Sequence, residues 1–494
     1  MMFRDATIEE INTSVKQAWN AFHVYRKLSL KQREAFLKAI AAELDALGPI
    51  LVQTAMKETN LPEARLQGEK ARTIFQLNSY AEACGKGDWL EVSIDTASPE
   101  RTPPKPDIRK MMIPLGPVVV FGASNFPFAY STAGGDTATA FAAGCPVIVK
   151  AHPAHAETSE LVAVAILKAV EKCGLPNGTF THIHSSGFEV GKMLVMHEYV
   201  KAVGFTGSYA GGKALFDMAN QRKEPIPVFS EMGSINPVFL LPDKLHESAA
   251  DIAKMYSASI TLSVGQFCTN PGLIIAVDGN DLNIFIDKLG EEIKNIAPAA
   301  MLHPGIAKAF AEKREAALNQ KGVTTIAVSN TSAKDNQGIP TIAAVDAETF
   351  LKNTLLHHEV FGPYSLVIRC KDVNQMTEVA RRLEGQLTST LMATVKDIRE
   401  NEEVVEAVKN ICGRFIMNGV PTGVEVCRSM HHGGPFPATT DARFTSVGAD
   451  GIKRFARPMA FQNWPDALLP DELKNKNPLN IWRTVNNELT KNAI

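Results

Sequence analysis

Apolar residues recur every three to four positions along the N-terminal part of the chain, which is the spacing of helices that bury one face. The repeat at Ile8, Ile11 and Val15 opens a helical region predicted to run from Thr7 to about Lys57. A break follows, and a second helix is predicted from Pro62 to Cys84, with the proline in its first turn. The N-terminal region is therefore expected to be helical.

From Ile108 the pattern changes to short apolar runs that alternate with amphipathic stretches. Strands are predicted at 117–121, 145–150, 180–184, 200–205, 228–231, 236–241, 273–277, 324–328, 365–370, 390–393 and 413–418, and helices at 134–143, 157–173, 189–197, 207–221, 251–262, 281–296, 305–319 and 373–383. Nearly continuous apolar strands of this kind are typical of parallel sheets that helices cover on both faces. The sequence therefore predicts an α/β protein of two lobes, with a boundary near Gly233.

Two segments depart from the alternation. Residues 93–107 are polar and rich in proline, which predicts an exposed extension or hairpin. Beyond Val420 the chain turns to glycine, proline, histidine and arginine. Residues 445–494 are expected to be irregular and to pack on a neighbouring subunit.

Composition narrows the class of partner. The chain has 494 residues, 45% of them hydrophobic and 21% charged, which is ordinary for a globular protein of two or three sub-domains. A net charge of −2 gives no electrostatic reason to expect nucleic acid or an anionic membrane surface. Seven irregularly spaced cysteines argue for a reducing compartment, and the absence of CxxC and HExxH motifs argues against a bound metal. No apolar leader or membrane span is visible, so a cytoplasmic location is expected.

One cysteine lies in a setting that favours reactivity. Cys268 belongs to the short segment Gly265–Gly272, between a helical pattern and an apolar run. Loops held by a rigid scaffold often carry chemistry, and a thiolate there would be a nucleophile. The alternative is a small buried hydrophobe, as most free cysteines are.

Two polar side chains follow predicted strands and have roles open to them. Glu231, against apolar neighbours, is expected to have a raised pKa and could act as a general base; the alternative is a partly exposed carboxylate. Asn125 has a side-chain amide that could stabilise an oxyanion, although an Asx turn before Pro127 explains it equally well.

A glycine-rich turn at 207–212 lies between a strand and a helix. Backbone N–H groups at such a helix N-terminus favour an anion, which predicts a phosphate contact. The spacing is not GxGxxG, and tight packing is the alternative. Lys150 ends another strand at the same edge of the sheet, where a ribose or phosphate contact competes with a solvated charge.

Six segments in one order connect these residues. They are ASNFPF at 123–128, VIVKAHPAH at 147–155, GFTGSYAGG at 204–212, SEMGSINP at 230–237, GQFCTNPG at 265–272 and HEVFGPY at 358–364. The series resembles the aldehyde dehydrogenase superfamily over nearly the whole chain. The resemblance implies oxidation of an aldehyde to a carboxylate with NAD or NADP.

The resemblance implies a role for each matching residue. Cys268 would attack the aldehyde to form a thiohemiacetal and, after hydride transfer, a thioester. Glu231 would activate the hydrolytic water and help to deprotonate the thiol, and Asn125 with the backbone N–H of Cys268 would hold the oxyanion. The cofactor contacts would be Lys150 and Glu359 at the riboses, Gly207, Ser208 and Gly212 at the pyrophosphate and Phe361 at the nicotinamide. Residues 431–437 match another loop of the family in an unusual form, and no functional residue is assigned there.

The same resemblance implies a domain organisation. A Rossmann-like cofactor domain would comprise 1–91 and 114–232, and an α/β catalytic domain 233–435. Residues 92–113 and 436–494 would form a small oligomerisation extension with a C-terminal tail. A homodimer or homotetramer is expected.

Within the superfamily, ETNLPEARLQGEKART at 58–73 and the segments around Asn125 and Cys268 look most like those of α-ketoglutaric semialdehyde (2,5-dioxopentanoate) dehydrogenases. NADP-dependent fatty-aldehyde dehydrogenases are the alternative. The remote carboxylate of a semialdehyde needs a cation, preferably an arginine that binds it through two hydrogen bonds. Arg72 on the predicted 62–84 helix is the candidate, against a solvated surface arginine. Phe126 and Phe267 are expected to line the substrate pocket.

Cofactor choice and the rival classes depend on single features. NAD-preferring members often carry a glutamate three residues after the lysine, where this chain has Pro153, so use of both cofactors with a leaning to NADP is expected. A thiol hydrolase or acyltransferase would use Cys268 with a partnered histidine. A CoA-acylating enzyme would lack Glu231, and a non-catalytic structural relative would not need Cys268, Glu231 and Asn125 together.

Overall fold

The computed structural model describes residues 3–494, and its N-terminal region is helical as predicted. Its elements are α1 (Ile8–Tyr25), α2 (Leu30–Ala46), α3 (Pro49–Thr59), α4 (Glu63–Lys86), β1 (Ser93–Asp95) and β2 (Ile108–Pro114). Capping boxes begin α1 at Thr7 and α2 at Ser29, each side chain accepting a hydrogen bond from the backbone three residues on. Helix α4 packs against α2 and α3.

The first lobe is a parallel sheet covered by helices. Its elements are β3 (Val118–Phe121), α5 (Gly135–Ala143), β4 (Val147–Lys150), α6 (Ala156–Lys172), β5 (Phe180–Ile183), α7 (Glu189–Met196), β6 (Ala202–Thr206), α8 (Tyr209–Asn220) and β7 (Val228–Glu231). The strand order is β5-β4-β3-β6-β7, and every neighbouring pair is parallel. Apolar cores lie on both faces of this sheet, which explains why its strands lack polar alternation.

The second lobe repeats the α/β arrangement. Its elements are β8 (Val238–Leu240), α9 (Pro242–Thr261), β9 (Leu273–Val277), α10 (Asn280–Lys294), β10 (Ala299–Ala300), α11 (Pro304–Leu318), β11 (Thr324–Val328), β12 (Gln337–Gly338), β13 (Thr341–Asp346), α12 (Ala347–Lys352), β14 (Tyr364–Cys370), α13 (Val373–Arg382), β15 (Gln386–Met392), α14 (Val395–Glu400), α15 (Glu402–Asn410) and β16 (Cys412–Met417). The strand order is β11-β13-β14-β9-β8-β15-β16, parallel except between β11 and β13. The predicted α/β class with two parallel sheets is confirmed.

The C-terminal tail is more regular than expected. It contains β17 (Ala456–Gln462), β18 (Arg483–Val485) and β19 (Glu488–Thr490). These strands join β1 and β2 in a sheet of order β17-β2-β1-β18-β19. The prediction of an irregular tail was therefore wrong, because residues with little apolar pattern become strands by pairing with the chain's own extension at 93–114.

The fold brings strand ends from both lobes to one place. Glu231 ends β7, Asn125 follows β3, and the loop with Cys268 connects α9 to β9 of the second lobe. Ligands bind beyond the carboxyl ends of parallel strands in folds of this kind. Among residues 3–494, no helix is both long and apolar enough to cross a membrane.

Candidate active site

The loop that carries Cys268 is bent sharply at its start. Ser263, Val264 and Gly265 all have positive φ, between 49° and 64°. A Cβ atom on Gly265 would lie 2.3 Å from the carbonyl carbon and oxygen of Gly362. Glycine is therefore required at 265 both by the left-handed backbone and by the close approach of another segment.

A buried amide holds the carbonyl side of the same loop. Asn236 Nδ2 donates to the backbone oxygens of Cys268 at 2.8 Å and Asn270 at 2.9 Å. Its Oδ1 accepts from the hydroxyls of Ser234 and Thr388 at 3.1 and 3.0 Å. Asn236 is fully buried with φ of 45°, a conformation that asparagine adopts more readily than other side chains. Sequence analysis assigned this residue no role, and the structure gives it a positioning role for the loop.

Glu231 lies in a buried cluster with a histidine that sequence analysis did not assign. The His432 Nε2 is 3.0 Å from Glu231 Oε1 and 3.6 Å from the Cys268 Sγ. The Ser446 hydroxyl donates to Glu231 Oε2 at 2.6 Å. No functional residue was predicted in 431–437, and the structure shows that this loop brings His432 between the carboxylate and the thiol.

The charge state of Glu231 differs from the expectation of a raised pKa. Burial alone would raise the pKa of this carboxyl, but the charge and hydrogen bond of His432 and the hydrogen bond from Ser446 outweigh burial and lower it. The expectation was wrong because it counted the apolar neighbours of the strand and not the partners from the C-terminal region. Burial, followed by the negative charge of Glu231, raises the pKa of the Cys268 thiol well above its ordinary value.

Asn125 lies beside the loop that carries Cys268. Its Nδ2 donates to the backbone oxygen of Gln266 at 3.2 Å, two residues before Cys268. Its own carbonyl accepts from Arg65 Nη2 at 3.0 Å, which fixes the turn between β3 and α5. The amide is therefore held where it can turn toward a substrate oxygen bound near the Cys268 thiol.

Aromatic side chains form a wall on the side of the cluster nearest to α4. The rings of Phe126 and Phe267 meet edge to face with centroids 5.5 Å apart, and Tyr130 lies 5.2 Å from Phe126. The Arg65 guanidinium lies over both phenylalanine rings, at 4.7 and 5.4 Å. Glu69 accepts hydrogen bonds from the backbone N–H groups of Phe128 and Ala129, and it pairs with Arg65 at 3.5 Å. These contacts hold the wall in place.

Arg72 lies two turns beyond Arg65 on α4, with its guanidinium 5.6 Å from the centre of the Tyr130 ring. Its Nε and Nη2 atoms are buried and have no hydrogen-bond partner within the described part of the chain. Buried donors of this kind are rare because each costs about 1–3 kcal/mol when unsatisfied. The Arg414 Nε is buried and unpartnered within the same part of the chain, while its other nitrogens bind the carbonyls of Gly423 and Pro421. A negative charge on Cys268 would raise the pKa of both guanidiniums, which means that both lie within electrostatic reach of the thiol.

A cleft of about 230 Å³ opens on the other side of the thiol. It is lined by Cys268, Glu231 and Asn125 together with Gly207, Ser208 and Phe361. The Ser208 hydroxyl accepts from the Gly211 N–H at 3.2 Å as the N-cap of α8, which leaves other first-turn N–H groups free for a ligand. Gly212 is buried beneath the turn, where a Cβ atom would lie 2.6 Å from the Met232 Cγ. That glycine serves the packing of α8 on β7.

Glu359 reaches the same cleft from the second lobe, together with Lys313, which sequence analysis did not assign. Burial raises the pKa of the Glu359 carboxyl to about 7, and the charge of Lys313 offsets this only in part. The carboxylate is pressed against Gly233, where a Cβ atom would lie 2.6 Å from Oε2. Lys150 ends β4 half-buried, and burial lowers the pKa of its amine.

The arrangement combines a buried thiol, a carboxylate with a histidine, an amide donor and an elongated cleft. A thiol with an adjacent histidine would also serve a thiol hydrolase. Because His432 lies beside Cys268, a partnered histidine no longer distinguishes that class. The distinguishing feature is the cleft. It contains the N-terminus of α8 and the buried Glu359 carboxylate, which a simple thiol hydrolase would not need.

Comparison with known proteins separates these classes. The family model described as "Aldehyde dehydrogenase family" matches residues 1–440. Alpha-ketoglutaric semialdehyde dehydrogenase 2 of Azospirillum brasilense is 48% identical over 98% of this chain and 92% of its own length, and a namesake from Acinetobacter baylyi is 45% identical over 99% and 93%. The solved glyceraldehyde-3-phosphate dehydrogenase of Methanocaldococcus jannaschii superposes with a TM-score of 0.77 at 19% identity, covering 93% of this chain and 95% of that one. The chain belongs to the aldehyde dehydrogenase family and is an enzyme that oxidises aldehydes with NAD or NADP.

Proposed function

We propose that this enzyme oxidises α-ketoglutaric semialdehyde to 2-oxoglutarate. The observation that carries the proposal is Arg72, whose unpartnered buried N–H groups lie beside the aromatic wall that leads to Cys268. A carboxylate at the far end of a short aldehyde would satisfy both donors at once, since a guanidinium and a carboxylate match in geometry. The names of the 45–48% identical relatives support the same substrate.

Cys268 is the nucleophile in this proposal. Its sulfur attacks the aldehyde carbon, and the oxygen becomes an oxyanion that the Asn125 amide and the Cys268 backbone N–H hold. The thiol proton passes toward the pair of His432 and Glu231. The His432 Nε2 lies 3.6 Å from the sulfur and 3.0 Å from the Glu231 Oε1. Phe126 and Phe267 keep water from the carbon chain of the substrate.

Glu231 acts in the second half-reaction. A water molecule attacks the thioester carbon and gives its proton to the Glu231 carboxylate, and the Cys268 sulfur leaves as a thiolate. His432 and Ser446 keep Glu231 ionised and correctly oriented for this step. A Cys268→Ser variant is expected to lose oxidation and to keep cofactor binding.

The residues on the cofactor side fit NAD(P). The first turn of α8 offers N–H groups to a pyrophosphate, the buried Glu359 carboxylate suits ribose hydroxyls, and Lys150 lies at the end of another strand of the same sheet. Bound NAD(P) supplies the acceptor for the hydride of the thiohemiacetal. Gly212 contributes through the packing of α8, and Phe361 lines the cleft near Cys268.

Both cofactors should be used, with NADP favoured. Pro153 lies where a glutamate would repel a 2′-phosphate, so that repulsion is missing. The charge of Asp5 raises the pKa of Lys150 and partly offsets the effect of burial. Asp5 accepts hydrogen bonds from the backbone N–H and the hydroxyl of Ser186. Rates measured with NAD and NADP at equal concentration decide the preference, and strict use of NAD would contradict it.

The proposed domains are a cofactor domain (1–91 and 114–232), a catalytic domain (233–435) and an oligomerisation unit (92–113 and 436–494). Two features of the last unit support a homodimer or homotetramer. Its strands form a sheet separate from those of the two lobes. Large apolar side chains are exposed on it, namely Met459, Trp464, Leu468, Trp482 and Leu489.

The substrate proposal is tested by an Arg72→Ala variant assayed with the semialdehyde and with pentanal, which lacks the remote carboxylate. We expect kcat/KM for the semialdehyde to fall about 100-fold, or roughly 3 kcal/mol, mainly through KM, because a buried ion pair with the substrate is lost. The value for pentanal should change by less than about 3-fold.

Arg65→Ala is the matched control. Arg65 lies on the same helix but stacks on Phe126 and Phe267 and holds the Asn125 carbonyl, so its loss should affect both aldehydes alike. Equal losses in Arg72→Ala for both aldehydes would contradict the substrate assignment. If the wild type prefers pentanal or longer unsubstituted aldehydes, the fatty-aldehyde alternative replaces it.

A further inference from the structure

A second cluster of histidine and carboxylate side chains lies outside the site described above. Glu160 is on the first turns of α6, and His182 and His184 lie two positions apart at the end of the edge strand β5. Side chains two positions apart in an extended segment point to the same side. Glu160 Oε2 is 3.1 Å from His182 Nδ1 and 2.8 Å from His184 Nε2.

The three potential ligand atoms converge on one point. They all lie within 4.8 Å of one another. In a tetrahedral zinc site with bonds of about 2.0–2.2 Å, ligand atoms lie roughly 3.3 Å apart. Closing the two histidine nitrogens around an ion therefore needs only side-chain adjustments.

Both imidazoles are already oriented by groups behind them. His182 is nearly buried, and its other nitrogen, Nε2, lies 2.8 Å from the hydroxyl of the buried Ser159. That hydroxyl also contacts Thr132 Oγ1 at 2.5 Å, so it can either donate to His182 or accept from it. The His184 ring is stacked on Phe3 with centroids 4.0 Å apart and planes 9° apart. The contact of His182 with Ser159 is the kind of outer contact to the second nitrogen that holds metal-binding histidines.

We propose that Glu160, His182 and His184 form a binding site for a zinc-class divalent cation, with water as the fourth ligand. Two imidazole nitrogens and one carboxylate oxygen are a ligand set that zinc accepts in tetrahedral geometry. Glu160 is the most exposed of the three, with 43% of its side chain accessible, so the cluster opens to solvent on that side.

Metal binding adds the two positive charges of the cation, of which Glu160 offsets one at a site that is open to solvent. In the cluster as it stands, His182 Nδ1 and His184 Nε2 face the Glu160 oxygen and share it as a hydrogen-bond acceptor. When a cation takes that place, each neutral imidazole carries its proton on its other nitrogen: His182 on Nε2, which donates to Ser159 Oγ, and His184 on Nδ1. The carboxylate then contributes its charge to the cation.

The site joins segments that are distant in sequence. It links the edge strand to α6, and the backbone oxygen of His184 accepts from the Ala6 N–H at 3.1 Å. Asp5 in the same N-terminal segment accepts from Ser186. A bound ion would therefore fix the N-terminal segment and β5 against α6, which raises stability without taking part in aldehyde oxidation.

Zinc binding is the test, and a second cluster must be removed first. Glu231, Cys268 and His432 also offer three ligand atoms within 4.8 Å of one another. The full chain with Cys268→Ala is therefore titrated with zinc by calorimetry and analysed for metal after dialysis. We expect one zinc per chain and a rise in Tm on addition of zinc.

Variants at the cluster locate the ion. Glu160→Gln and His184→Gln, each in the Cys268→Ala chain, should bind zinc at least 100-fold more weakly and lose the rise in Tm. The matched control is His246→Gln, since His246 is an exposed histidine paired with Asp281 at 3.1 Å; it should keep both. Glu160→Gln in the otherwise native enzyme should keep its dehydrogenase rate. Zinc binding that is absent in the Cys268→Ala chain, or that both cluster variants retain, would overturn the proposal.

Discussion

Two carboxylates from different lobes face one cleft, and their environments push their ionisation in opposite directions. Glu231 ends a strand of the first lobe, and His432 and Ser446 lower the pKa of its carboxyl against the effect of burial. Glu359 comes from the second lobe, and burial raises the pKa of its carboxyl to about 7. The same chemical group is thus kept ionised at one end of the cleft and titrates near neutrality at the other.

The difference comes from close partners rather than from depth. Glu231 has an imidazole nitrogen at 3.0 Å and a hydroxyl at 2.6 Å, so its charge is compensated within the protein. Glu359 has the Lys313 charge nearby, but the Lys313 amine donates to the Glu359 backbone oxygen and leaves the carboxylate to other donors. We infer that Glu231 is kept ionised so that it can accept a proton during turnover. We infer that the Glu359 carboxylate accepts hydrogen bonds from hydroxyl groups of a ligand.

Replacement of Glu231 should have the largest effect of the changes that test this contrast. We expect Glu231→Gln to lower kcat about 100- to 1,000-fold, because the general base for thioester hydrolysis is lost. The thioester should accumulate, giving a burst of reduced cofactor followed by a slow steady state. A Glu359→Gln variant measured beside it should show no such burst.

The same variant reports on the thiol. The charge of Glu231 is one of the causes that raise the pKa of Cys268, so its removal should lower the pKa of the thiol. Alkylation of Cys268 by iodoacetamide at neutral pH should therefore become faster in Glu231→Gln. Slower alkylation would mean that Glu231 serves the thiol mainly as a base, and not through its charge.

Replacement of His432 should make Glu231 resemble Glu359. In His432→Gln the hydrogen bond can persist but the charge is lost, so burial should dominate and raise the pKa of Glu231. Since Glu231 must be ionised to accept a proton, the pH below which kcat falls should move upward. We expect a loss of about 10-fold at neutral pH. Profiles of kcat against pH for the two enzymes test this, and an unmoved acidic limb would contradict it.

From the sequence, Glu231 was a candidate residue, but its partner His432 was not. Glu231 and Asn125 lie together because strand ends of a parallel sheet meet at one edge, which the alternation of strands and helices makes visible, whereas Cys268 comes from the second lobe, in the loop before β9. His432 lies in a loop with no hydrophobic period. The loop reaches Glu231 because glycines let it pass close to β15 and β16, where a Cβ on Gly434 would lie 2.2 Å from the Gln386 oxygen. The adjacent glycines after His432 were the available signal.

The fold could be predicted where the strands have a clear apolar pattern. The prediction failed where a segment lacks that pattern. Strands buried on both faces have a continuous apolar pattern, and the bounds found for β7 and β9 agree with those predicted. The strands of the C-terminal tail lack that pattern, since β17 is exposed along most of its length and exists through its pairing with β2. Pairing between distant segments is a tertiary fact that a local pattern does not contain.

Replacement of Glu359 should have the smallest effect and a distinctive pH dependence. A carboxyl with a pKa near 7 is largely protonated at pH 6 and ionised at pH 8, and only the ionised form accepts two ribose hydroxyls. The KM for NAD(P) in the wild type should therefore fall a few-fold as the pH rises through about 7. In Glu359→Gln the KM should stay near the wild-type value at low pH and lose this dependence.

Stability provides an independent check on Glu359, with the opposite sign. The unfolded carboxyl titrates near its ordinary value of 4.5 and the folded one near 7, so the folded protein holds more protons between these values. The free energy of unfolding should therefore contain a contribution that is present below pH 4.5 and lost as the pH rises through 7. Glu359→Gln removes that contribution, so its stability relative to the wild type should improve between pH 5 and pH 8. Because Glu231 has a lowered pKa, Glu231→Gln should not show this gain, and a gain of equal size in both variants would remove the distinction between the two carboxylates.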